Sequence, residues 1–334
     1  MGVQLFVSDC EGVFTVNDFA AELCQQYIPD GNEFFSRLSL YDDYLAEVSK
    51  KPDYRAGDTL RLILPFLLAH GVDDNKMGML AQETTSFIPA AHTTIEKIRS
   101  LNIPLCMISA SYTPYIDVVS KELGLTAENV FSTRVKLNSS DLEPEEKGWL
   151  TGEAYNKIME RPKLRINSST TIEGLLEEDK ETIRELDEIF WNEMKDRKRA
   201  YSLMDQTSVV GGTEKCRVLA KLSGRYGIPP GSIIYVGDSI TDIRAFDFLN
   251  EGKGFSLSFN GNDWAMERAK YLIAANNTLP IAHFAEMAVR YGRDYVDGTP
   301  MWVKPKEALL LEEAVKTSKK FRTEVRGSYR AALG

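Results

Sequence analysis

Asp238 and Asp242 stand four residues apart in IIYVGDSITDIRAF (233–246), directly after an apolar run, and Asp9 closes a second apolar run in LFVSDCEG. Apolar runs of four to six residues bounded by Gly and Asp read as buried parallel strands, and such strands gather their ends along one edge of a sheet. Carboxylates gathered there repel one another unless a cation neutralises them. A donor set of carboxylate oxygens suits a hard ion, Mg²⁺ above all. Taken alone, Asp238 or Asp242 would serve equally well as the cap of the helix that follows Gly237.

Three segments carry the elements that would position these carboxylates: residues 3–13, about 88–136 and about 210–280. IPAAHTTIEKIRSLNIPLCMISAS predicts a helix, a turn at Asn102 to Pro104 and a strand ending at Ser109; KELGLTAENVFSTRV supplies another helix and strand. CRVLAKLSGRYGIPPGSIIYVGDS repeats the pattern, with the Gly227 to Gly231 turn separating helix from strand. This alternation predicts an α/β fold, a doubly wound parallel (Rossmann-like) sheet with helices on both faces. The core is assigned to 1–14, 88–137 and 209–280. Between its pieces lie a helical cap (15–87) and a second helical insertion (138–208), and a C-terminal helical extension follows (281–334). TIEGLLEEDKETIRELDEIFWNEMKDRKRA reads as a long amphipathic stretch with a solvated, charged face.

Composition limits the function. The chain has 334 residues and a formal charge of −9, which argues against nonspecific binding to nucleic acid or anionic membrane. Its length suits about two domains. Cys10, Cys24, Cys106 and Cys216 show no CxxC spacing and fit a reducing compartment. The first core strand begins at once, leaving no room for a signal peptide, and LRLILPFLLAHG is broken by Arg61 and Pro65, so it reads as a buried helix and not a membrane span. The expected location is cytoplasmic. His70, His92 and His283 fall in no motif, and neither a Walker-type loop nor GxGxxG occurs.

Four motifs in order resemble the haloacid dehalogenase-like (HAD) superfamily: Asp9-Cys10-Glu11-Gly12-Val13 after a strand, Ser109 in LCMISAS, Lys215 in GGTEKCRVL, and Gly237-Asp238 with Asp242. Singly, Ser109 reads as a strand-end turn residue and Lys215 as a surface lysine in a helix's first turn. The resemblance implies a Mg²⁺-dependent phosphatase. Asp9 would attack phosphorus to form an aspartyl-phosphate, Ser109 and Ala110 would cradle the phosphoryl group, and Lys215 would add charge and hold Asp9 ionised. Mg²⁺ would be held by Asp9, the main-chain carbonyl of Glu11 and Asp238, with Asp242 at a metal-bound water or orienting Lys215. Glu11 departs from the family's usual Asp, the general acid and base of the reaction. It keeps the carboxylate, but its extra methylene shifts the reach by about 1 Å, and a misplacement of that size can cost about 10²-fold in rate.

MISASYTPYIDVVSKELGL, VFSTRV and FSLSFNGND resemble phosphoserine phosphatase-like members, as does a cap inserted directly after the first motif. That likeness implies Asp18 against a substrate amine and Arg55 against a substrate carboxylate. DCEG, YDDYLAEV and AGDTLRLILPFL are similar to an archaeal HAD-like group, some labelled energy-converting hydrogenase A subunit R. The leading expectation is hydrolysis of a small phosphorylated metabolite. The alternatives are a phosphotransferase, or a catalytically weak accessory subunit that meets a protein partner or a second copy through residues 138–208 or the C-terminal helix.

Overall fold

Short, continuously buried runs build the sheet. The computed structural model describes residues 2–138, 142–305 and 307–333 and contains six strands: β1 (Leu5–Ser8), β2 (Leu105–Tyr112), β3 (Val130–Thr133), β4 (Ile233–Gly237), β5 (Phe255–Phe259) and β6 (Tyr271–Ile273). All neighbours pair in parallel, in the order β3-β2-β1-β4-β5-β6. Phe6 and Val236 point to one face, where they meet Ile95, Ile98 and Phe284 from helices Ala91–Arg99 and Leu279–Asp297. Leu5, Val7 and Tyr235 point to the other, against Leu219, Leu222 and Phe246 from helices Gly212–Tyr226 and Ile243–Glu251. Both faces are therefore covered, as a parallel sheet requires. Each fully buried side chain of this size contributes about 1.5–3 kcal/mol.

The chain winds from β1 outward through β2 and β3, then returns to β4 on the other side of β1 and continues through β5 and β6. The order reverses between β1 and β4, which opens a crevice at their carboxyl ends. Ser8 is in register with Val236, and Asp9 N–H donates to the Val236 carbonyl at 2.8 Å. This pairing brings Asp9 and Asp238 to the same crevice.

β2 continues to Tyr112 and does not end at Ser109. Its register with β3 shifts between Ile108 and Tyr112, a bulge that re-aims residues 109–111 before pairing resumes at Tyr112–Thr133. The charged stretch around 171–200 is likewise two helices, Glu177–Trp191 and Lys198–Gln206, broken at Asn192 (φ −122°, ψ −70°).

The first insertion leaves and re-enters the core through a narrow paired neck, where Val16 N–H meets the Ser86 carbonyl (3.0 Å) and Ile88 N–H meets the Phe14 carbonyl (2.9 Å). Its helices Phe19–Tyr27, Gly31–Asp43 and Thr59–Ala69 pack with the second insertion into one helical body. Phe190 packs against Tyr41 and Phe66, the Tyr41 hydroxyl donates to Asp187 Oδ1 (2.5 Å), and Trp191 Nε1 donates to the Tyr41 hydroxyl (2.8 Å). Among the described residues no helix is long and apolar enough to cross a membrane.

Gly237 ends β4 because the Asp242 carboxylate folds back against it; a Cβ there would lie 2.3 Å from Asp242 Cγ. Gly237→Ala is expected to displace Asp242 and to lower stability by about 1–3 kcal/mol, the usual cost of overpacking. Urea denaturation of the variant checks this, with an unchanged midpoint as the contrary result.

Candidate active site

The crevice places two of the sequence-predicted carboxylates, Asp9 and Asp242, against the buried ammonium group of a third predicted residue, Lys215. Lys215 opens helix Gly212–Tyr226 and is completely buried. Its Nζ donates to Asp9 Oδ2, to Asp242 Oδ1 (2.7 Å) and to Thr241 Oγ1 (2.9 Å). An ammonium group has three donors, so all three are in use. Asp9 Oδ1 accepts from Cys10 N–H at 2.6 Å.

Asp242 is saturated. Oδ1 accepts from Lys215 and from the Tyr235 hydroxyl (2.7 Å), while Oδ2 accepts from the main-chain N–H of Asp238 (2.9 Å) and of Ser239 (3.0 Å). It also completes a capping box with Ser239. Capping and holding Lys215 are thus done by one carboxylate, through different oxygens.

Burial pushes Asp9 up to about 7, with Lys215 opposing and Asp242 and Asp238 adding to the rise. Burial likewise pushes Glu11 well above the usual carboxylate range, and neighbouring Asp18 adds to it. Glu11 Oε1 accepts from Phe19 N–H (2.7 Å) at the start of helix Phe19–Tyr27, which fixes the longer side chain in place; Asp18 caps the same helix through Ala21 N–H (3.1 Å).

Asp9, Glu11, Asp18, Ser109, Ala110 and Asp238 all line one cavity of about 90 Å³. That is well below the roughly 300–1,000 Å³ of a drug-sized ligand pocket. Arg55, expected to meet a substrate carboxylate, lies outside it. The turn at Gly57 faces the cavity instead, and Arg55 lines a separate cleft with Asp58, Arg61 and Trp191. Asp43, on the cap side, lines the cavity with its Oδ1 buried and without a hydrogen-bond partner.

Carboxylate oxygens of Asp9, Asp238 and Asp242 lie within 4.8 Å of one another. Gly12 (φ +75°) carries the first-motif backbone so close to Asp238 that a Cβ would fall 2.0 Å from Asp238 Oδ2. Hard oxygen donors and a backbone that can approach only as glycine fit a divalent cation between Asp9 and Asp238.

Two residues were missed. Arg322 and Arg326, from the helix Ala308–Ala331, line the same cavity and both bond Asp238 Oδ2. Four-residue spacing on a predicted amphipathic helix was the only available signal, and it does not tell a site-facing pair from a solvated one.

Removing the buried cation leaves the Asp9 and Asp242 carboxylates without a counter-charge. Lys215→Met is expected to lose about 3–5 kcal/mol near neutral pH. Without Lys215 the folded-state pKa of Asp9 rises further above its unfolded value. Below about pH 7 the folded Asp9 carboxyl is protonated in both proteins and adds nothing to the difference, so the variant's deficit is flat there and widens as pH rises above it. Denaturant midpoints of wild type and variant from pH 5 to 8 check this, and a pH-independent difference would contradict it.

No protein-family model matches the chain, and neither does any curated protein. Among solved structures it is similar to the gene product AF1437 of Archaeoglobus fulgidus, with a TM-score of 0.82 at 25% identity over 100% of this chain and 99% of that one. A substrate-bound phosphoserine phosphatase complex superposes with a TM-score of 0.51 at 14% identity, over 85% of this chain and 99% of that chain. For the HAD family hydrolase t0658 of Salmonella enterica serovar Typhi the values are 0.50 and 12%, over 86% and 72%. The α/β architecture is that of the HAD Rossmann-like fold.

Proposed function

We propose that the protein is a phosphatase that hydrolyses a small phosphomonoester by way of an aspartyl-phosphate on Asp9. The observation that carries this reading is the Asp9–Lys215–Asp242 chain at the reversal point of the sheet, beside Ser109. Phosphoryl transfer asks the protein for an in-line nucleophile and fixed positive charge more than for covalent chemistry. Asp9 is held at a strand end with its carboxylate facing the cavity. Lys215 is oriented by Asp242 so that its charge remains beside Asp9 and the incoming phosphoryl oxygens.

Asp9, Asp238 and the main-chain carbonyl of Glu11 would hold Mg²⁺, which when bound supplies charge that draws the phosphoryl group onto the nucleophile. Asp242, with both oxygens already accepting two hydrogen bonds, serves Lys215. Ser109 donates its hydroxyl to a phosphoryl oxygen. Glu11, kept protonated by its enclosure, gives its proton to the leaving-group oxygen and then takes one from the attacking water. The bond to Phe19 N–H compensates for its extra methylene by anchoring the carboxyl group. The small cavity favours a compact substrate admitted when the cap opens at its neck.

An accessory-subunit role through the second insertion is less well supported. The aromatic face of that insertion around Phe190 and Trp191 is already packed against the cap of its own chain.

Phosphate release from a panel of phosphomonoesters, with Mg²⁺ and with chelator, tests the reading. Asp9→Asn is expected to abolish release while the fold is retained. Glu11→Gln should lower kcat by about 10²–10⁴-fold, the usual weight of general acid–base catalysis, and Glu11→Asp should remain active. Equal rates in wild type and Asp9→Asn would refute the mechanism.

A further inference from the structure

Asp238 is almost completely enclosed by cations from a part of the chain outside the four motifs. Its side chain and that of Arg322 are each 3% exposed, and that of Arg326 is 6% exposed. Arg322 Nη1 bonds Asp238 Oδ2 (2.5 Å) and Arg326 Nη1 bonds the same oxygen (3.1 Å). The remaining donors have partners as well. Arg322 Nε and Nη2 donate to the Ala331 (3.0 Å) and Leu333 (3.2 Å) carbonyls, which folds the chain back after the kink at Gly327 (φ +77°). Arg326 Nη2 and Nε donate to the carbonyls of Asn17 (2.8 Å) and Val16 (3.3 Å), at the neck of the cap.

Both guanidinium groups are thus held by the protein, with one carboxylate oxygen between them. Two like charges are brought this close in the interior only when an anion neutralises them. Asp238 is that anion, and it is also the carboxylate that a divalent cation beside Asp9 would need. The docked helix and the cation therefore present positive charge to the same group from two sides. Placing three cationic centres around one buried carboxylate is strongly unfavourable where the local dielectric is low.

We infer that Arg322 and Arg326 form an internal counter-ion that competes with a divalent cation for Asp238, so that docking of the C-terminal helix and cation binding oppose each other. The inference rests on the reading of Asp238 as a cation ligand. With no cation, the pair neutralises Asp238 and ties the helix to both core and cap neck. With the cation bound, Asp238 turns to it, the guanidinium contacts weaken, and the same change releases the Val16–Asn17 carbonyls at the neck.

Competition and simple structural support make opposite predictions. If the arginines only brace Asp238, their removal weakens cation binding; if they compete, removal strengthens it. The experiment is calorimetric titration of the full chain with Mg²⁺, comparing wild type with Arg322→Gln, Arg326→Gln and Arg326→Lys. The Gln variants are expected to bind Mg²⁺ more tightly by about 5–150-fold, the usual span of coupling between two sites. Arg326→Lys, which keeps the charge, should stay near wild type.

Linkage requires the reciprocal effect. Saturating Mg²⁺ should speed amide hydrogen exchange of residues 308–331 in wild type, and Asp238→Asn should abolish that response. This measurement decides the matter without the Gln variants should they fail to fold. Equal or weaker Mg²⁺ binding by the Gln variants, or protection of the helix by Mg²⁺, would overturn the competition while leaving the cation site in place. Absence of Mg²⁺ binding by wild type and every variant would overturn both.

Discussion

A single buried ammonium group organises this molecule. Lys215 reaches the interior only because Asp9, Asp242 and Thr241 receive all three of its protons, and Asp9 and Asp242 come close only because Lys215 lies between them. Neither side of that arrangement is stable without the other: a buried charge without a partner costs several kcal/mol. The constraint passes outward through Asp242, whose second oxygen receives the Asp238 and Ser239 main-chain groups. The end of β4, the turn after it and the first turn of helix Gly212–Tyr226 are thereby tied into one rigid unit. Such rigidity suits a site whose chemistry depends on position and fixed charge more than on motion.

Around this unit the protein builds a lid from separate stretches of sequence. The first insertion supplies Glu11's partner, Phe19 N–H, and the cavity wall at Asp18 and Asp43. The described residues of the second insertion do not line that wall but stiffen the first insertion from behind, through Phe190, Trp191 and Asp187 against Tyr41. A cap held to the core by a short paired neck, yet internally braced by aromatic contacts, is suited to moving as one body.

The C-terminal helix adds a third layer, and its logic is electrostatic. Asp9, Glu11, Asp18, Asp42, Asp43 and Asp238 line the cavity and Asp242 lies beside them at Lys215, whereas the four motifs contribute one cation, Lys215. Arg322 and Arg326 narrow that imbalance from outside the motifs, through their ion pairs with Asp238. Burial pushes the carboxyls of Asp9 and Glu11 upward, and neighbouring carboxylates add to the rise.

By itself, the sequence determined what lies close to local rules. Runs such as LFVSD and IIYVGD carry the period and bounding residues of buried strands, so the parallel sheet and the gathering of Asp9, Ser109, Lys215 and Asp238 at its edge were legible from the alternation of helix and strand. The end of β2 was not legible, because a bulge depends on the partner strand and not on the residues at 109–111. Arg55 illustrates the same limit. Its distance along the chain from Asp9 says nothing about which side of the Gly57 turn faces the cavity. Arg322 and Arg326 follow Asp238 by 84 and 88 residues, on a helix whose pattern is that of any amphipathic surface helix. Only the tertiary fold decided that this face turns inward: helical periodicity shows that two side chains share a face, while what the face meets is set by the packing of distant elements.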